Sequence, residues 1–110
     1  MATPDPQRTA KLLQNLFGDD AVAERDGRCV IAAGTAEVEL VPPTMIAAEF
    51  AEAAAESSGR AEYMAALGIK VRSLREAARM FGAIAGVRVE PQRLVVPAAA
   101  AFNTTIVFSE

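Results

Sequence analysis

Residues 5–18 read DPQRTAKLLQNLFG and residues 73–86 read SLREAARMFGAIAG. Each stretch opens on a side chain able to cap a helix, Asp5 or Ser73, and closes on a glycine, Gly18 or Gly86, able to take the left-handed conformation that ends one. Ser73 and Glu76 have the spacing of a capping box, and Pro6 suits a first helical position. Leu12, Leu13, Leu16 and Phe17 supply an apolar face in the first stretch. Leu74, Ala77, Ala78, Phe81 and Ile84 do so in the second. Asp5 to Gly18 and Ser73 to Gly86 are equal in length, and the two stretches are offset by 68. Each glycine is followed by three strand candidates, near residues 21–25, 28–33 and 36–41 in the first half and 87–90, 93–97 and 104–109 in the second. Agreement in helix length, strand count and span points to a duplicated unit.

Working outward, Asp26-Gly27 and Gly34-Thr35 are turn sequences that make the first three strands an antiparallel meander. Pro91-Gln92 turns the first pair of the second half. A strand over 63–71 precedes the second helix, with Leu67, Ile69 and Val71 on one face and Ala66, Gly68 and Lys70 on the other. The first half starts at Met1, only just before Asp5, so its equivalent strand is expected to be missing. Between the halves, Pro42-Pro43 breaks the meander and Thr44 to about Glu56 forms a connector ending at Ser57-Ser58-Gly59. The expected architecture is α+β, one domain over 1–110: module one over 1–43, connector over 44–59, module two over 60–110.

The chain of 110 residues, 52% hydrophobic, is long enough to bury one core. Fourteen acidic and 11 basic residues leave a net charge of −3 and no basic stripe, which argues against a nucleic-acid partner. The single cysteine, Cys29, has no internal disulfide partner. No apolar run reaches the roughly 20 residues needed to cross a bilayer, and no signal peptide is evident, so a cytoplasmic, membrane-free setting is expected. With no histidine, a His-based triad is impossible. Phosphate-loop, dinucleotide and paired zinc motifs are absent.

The βαβββ unit used twice resembles the vicinal oxygen chelate superfamily, which includes glyoxalase I, ring-cleaving dioxygenases and bleomycin-resistance proteins. The resemblance rests on DPQRTAKLLQNLFG, GTAEVELVPP, YMAALGIKVRSLREAARMFGAIAG and LVVPAAAAFNTTIVF in that order. It implies two modules curling into a cup-shaped mixed sheet, the first strand of the first module missing. In metal-using members each module offers a ligand on its first strand and a carboxylate on its last. Here the last-strand position of module one is Glu39, and module two carries Ala66 and Val107 at its two positions. The resemblance therefore implies a metal-free cup, with no cofactor and no catalytic residue assigned.

Strand alternation sends Ala36, Val38 and Leu40 to the helix side and Glu37, Glu39, Lys70 and Thr105 into the cup. Ala66 and Gly68 leave room there. Tyr63 and Phe102, at the ends of strands bordering the cup, can close over a ligand. The candidate binding set is Glu39, Tyr63, Ala66, Gly68, Lys70, Phe102 and Thr105, with Glu39 as a polar anchor in an otherwise small and apolar pocket, or else a solvated carboxylate on an open sheet. Cys29 lacks a neighbour to lower its pKa and reads as structural. The expected function is a non-catalytic, glyoxalase-like domain that binds a small apolar molecule or acts through a dimer interface. The alternatives are a purely structural module and a lyase or dioxygenase completed by a partner chain's ligands. A homodimer is expected, because a missing first strand exposes a sheet edge and part of the first helix's apolar face.

Overall fold

The computed structural model describes residues 1–110 and is α+β. In chain order the elements are α1 (Pro6–Phe17), β1 (Val22–Arg25), β2 (Arg28–Ala33), β3 (Ala36–Leu40), α2 (Pro43–Phe50), β4 (Ala66–Lys70), α3 (Leu74–Phe81), β5 (Arg88–Val89), β6 (Leu94–Val96) and β7 (Thr105–Ser109). Both helix starts follow from their caps. The Asp5 carboxylate accepts the Arg8 N–H at 3.1 Å and the Ser73 hydroxyl accepts the Glu76 N–H at 3.2 Å. α1 runs to Phe17, whereas α3 stops at Phe81 and reaches Gly86 through turns. Gly82, a poor helix former, stands where α3 ends. Gly86 sits at φ 84°, where a Cβ would also lie 3.1 Å from the Pro97 ring.

The strands form two sheets. One is an antiparallel meander, β1-β2-β3; the other has the order β4-β7-β6-β5, with β4 parallel to β7. The second half thus runs strand, helix, three strands. In the first half one residue takes the corresponding position beside the last strand. Ala2 pairs in parallel with Val41, just as Lys70 pairs in parallel with Ser109 at the offset of 68. The expected absence of a leading strand is corrected to a single seated residue, with Ala2 fully buried. Ala2 also pairs antiparallel with Tyr63, so it is hydrogen-bonded on both sides: Ala2 N–H to Tyr63 O (2.9 Å), Tyr63 N–H to Ala2 O (3.1 Å), Thr3 N–H to Val41 O (2.9 Å) and Val41 N–H to Met1 O (3.1 Å).

Register refines the repeat. The pair Ala23–Val30 corresponds to Arg88–Val95, an offset of 65 rather than 68. A 3-10 turn at Asp19–Ala21 lengthens the first half before its hairpin, and another at Ala98–Ala100 lengthens the second half after its own, which restores the offset.

The connector helix lies where expected but is shorter. α2 ends at Phe50, since Ala51 turns to φ 47°, and a 3-10 turn follows over Ala51–Ala53. Ile46, Phe50 and Ala53 then pack with Ala65, Val95 and Ala98 into the main buried cluster, so the chain itself fills part of the concave side. A second cluster, Ala10, Cys29, Ile31 and Leu40, lies under α1 with Leu13 and Val38 against it. The expected α1 face is narrower than its sequence suggests. Thr9 and Ala10 are its buried residues, while Leu16 is 76% exposed and Leu12 and Phe17 are also exposed. In α3, Ala77 is buried and Phe81 stacks on Phe108 with centroids 5.2 Å apart, but Ile84, expected inward, is exposed. No helix is long and apolar enough to cross a membrane.

Candidate functional site

Strand alternation sorts the side chains of both sheets. Cys29, Ile31, Val38 and Leu40 turn toward α1, which leaves Arg28, Val30, Glu37 and Glu39 on the opposite, concave face. In the second sheet Val95, Val107 and Gly68 share that face, in register across β6, β7 and β4, and Arg93, just before β6, lines the same side. Between β3 and β4 the concave face opens into a cleft of about 720 Å³. Its walls include Ala36–Glu39 of β3 and Ala66–Lys70 of β4, with Ile46, Glu49 and Phe50 of α2, and Val107. β4 is an edge strand of its sheet, so side chains from both of its faces, Leu67 and Ile69 included, reach the opening.

Four of the residues read from the sequence meet here: Glu39, Ala66, Gly68 and Lys70. The Lys70 ammonium donates to the Glu110 carbonyl oxygen at 3.1 Å. Three others are corrected. Tyr63 is buried in the main cluster, its ring facing the Arg60 guanidinium at 5.6 Å, because pairing with Ala2 pulls it into the core. Thr105 is fully buried and its hydroxyl donates to Ala53 O at 2.6 Å, so the turn after α2 covers it. Phe102 projects entirely into solvent. Its loop is held from the far side, where Asn103 exchanges two 2.9 Å hydrogen bonds with the backbone of Glu56.

The polar end of the cleft is a feature the sequence reading missed. Arg28 donates to Glu39 at 3.0 Å and to Glu49 at 2.8 Å; Arg93 donates to the other oxygen of Glu49 at 3.2 Å and to Glu90 at 3.2 Å. The Arg93 guanidinium also lies 5.6 Å from the Phe50 ring centre. Arg25 extends the chain of ion pairs to Glu37 at 3.3 Å and Glu39 at 3.9 Å. Arg28 and Arg93 each follow a hairpin turn and are related by the hairpin offset of 65, so they are repeat equivalents sharing one carboxylate from α2. Overlaying the hairpins, rather than the helices alone, would have found them. The hydrogen bond to Glu49 raises the Arg28 pKa above its ordinary value, against a smaller effect of burial, which keeps this group a cation.

Chemically this end is an ion-paired anchor. Glu39 is half-exposed and already engaged by Arg28, and Ala66 and Val107 offer no donor atom, so these three positions do not fit a divalent ion. No three His, Cys, Asp or Glu side chains converge anywhere in the chain. Cys29 is buried on the α1 side, away from the cleft. Comparison with protein-family models, curated proteins and solved structures returned no match.

Proposed function

We propose that the chain is a metal-free, glyoxalase-like binding domain whose cleft takes a small apolar molecule with a polar end. The observation that carries this reading is the composition of the cleft. Ile46, Phe50, Leu67, Ile69 and Val107 give it an apolar lining, and Arg28, Glu49 and Arg93 close one end with polar groups of fixed orientation. A few oriented polar groups in an apolar concavity are the usual make-up of a small-molecule site. The test is a thermal-shift screen of hydrophobic and amphipathic compounds on the parent and on Leu67→Arg. A ligand present at 100 times its Kd stabilises by about 2.7 kcal/mol. The shift should be lost in Leu67→Arg, and no shift with any compound class overturns the reading.

Self-association is a second reading, favoured by the exposure of Leu12, Leu16 and Phe17 together on α1. Such a stripe is suited to a twofold, self-complementary contact. Sedimentation equilibrium at micromolar concentration tests it, and a monomer of 11.6 kDa rejects it.

A further inference from the structure

The two faces of α1 differ in kind. Thr9 and Ala10 are buried, and Leu13 packs on the cluster beneath the helix. On the outer side Arg8, Leu12, Asn15 and Leu16 recur at helical spacing, and all four are exposed. This outer stripe has a leucine centre and opposite charges at its ends. Arg8 and Lys11 lie in the first half of the helix, while Asp19 and Asp20 follow directly on Gly18, where it stops. None of these four charged side chains enters an ion pair within the chain, whereas Arg25, Arg28, Arg88 and Arg93 on the two hairpins all do. Their signs also run against the helix dipole, which favours negative charge at the start and positive charge at the end. Beyond its Asp5 cap, α1 has no acidic residue in its first turn and no basic residue in its last.

We propose that α1 packs antiparallel on α1 of a second copy of the chain, an arrangement that rests on the self-association reading and is independent of the ligand cleft. A twofold axis at the level of Gln14, midway between Leu12 and Leu16, sets Leu12 against Leu16 of the second copy. Arg8 and Asp20 lie equally far from Gln14 along the chain, so the same axis brings Arg8 to the level of Asp20 of the second copy. Each helix then receives carboxylates beside its first turn and a guanidinium beside its last, which is what its own dipole lacks. The charges also select the occupant. A parallel copy sets like charge against like at both ends, and a partner of uniform charge does so at one end; the antiparallel copy alone matches both.

The test is sedimentation equilibrium at micromolar concentration on the intact chain and two exposed double variants, Arg8→Glu/Lys11→Glu and Asp19→Lys/Asp20→Lys. Each variant alone should dimerise at least tenfold more weakly than the parent, because like charges then meet at both ends of the contact. An equimolar mixture of the two should recover dimers to within about threefold of the parent affinity, since the mixed pair has opposite charges at both ends. Both substitutions agree better with the helix dipole, so the thermal midpoint of each dilute variant should not fall below that of the dilute parent; this separates lost association from lost folding. A parent that stays monomeric overturns self-association and this arrangement with it. A dimeric parent whose variants dimerise as tightly, or whose variants dissociate without recovery on mixing, overturns the antiparallel α1 contact alone and leaves self-association standing through another surface.

Discussion

Removing the Glu49 carboxylate tests whether the paired arginines are organised by α2 or merely decorate the cleft. Glu49→Ala deletes two charge-assisted hydrogen bonds, of 2.8 and 3.2 Å, and leaves Arg28 with Glu39 and Arg93 with Glu90. All three side chains are about one-quarter exposed, at 27%, 28% and 27%. Fully exposed pairs are worth about 0.2–1 kcal/mol, while breaking a buried pair costs about 3–5 kcal/mol. This site lies between, nearer the exposed limit, so about 1 kcal/mol for each bond and about 2 kcal/mol for the substitution is expected. For a domain of this size that lowers Tm by roughly 8 °C. The assay is urea unfolding of a double-mutant cycle, Glu49→Ala against Arg93→Ala, with the expected coupling about 1 kcal/mol. High salt should reduce the coupling only in part, since partly buried charges are weakly screened. A Glu49→Ala stability within about 0.5 kcal/mol of the parent, together with coupling below about 0.3 kcal/mol, refutes the reasoning.

Thr105→Val removes the hydroxyl that satisfies Ala53 O and should cost about 1–2 kcal/mol in chemical denaturation, with ligand-induced thermal shifts unchanged; unchanged stability would return Thr105 to the cleft. Gly86→Ala forces a positive φ on a side chain and crowds Pro97, so a loss of at least about 1 kcal/mol is expected by the same assay. Leu16→Glu should dissociate any dimer seen by sedimentation and leave a monomer's unfolding midpoint nearly unchanged, because Leu16 is largely exposed.

Much of the fold was legible because it is written in local chemistry. Asp5 and Ser73 cap the helices they were read to cap, and the strands at 22–25, 28–33, 36–40 and 105–109 lie close to their sequence positions. Alternation placed Val38 and Leu40 against α1 and Glu39 across from them. What failed was non-local. No local pattern indicates that Ala2 is a strand residue: it is held by pairing with Val41 and Tyr63, both far from it along the chain. Thr105 alternates into the concave face as read, but α2 folds back over it, and a connector's docking position is set by packing rather than by its own sequence. Tyr63 was drawn into the core by that same N-terminal residue. Phe102 failed because a loop residue's direction depends on what pins the loop, here Asn103 against Glu56.

Cys29 is the chain's one thiol, buried beneath α1 in the first half, and the second half has none. A thiol reagent in solution therefore meets it only when α1 lifts from its sheet or the whole chain opens. Modification of Cys29 becomes a clock for one repeat, untouched by events confined to the other. Set against the rate of global unfolding, it shows whether two units of one design breathe separately or open as one.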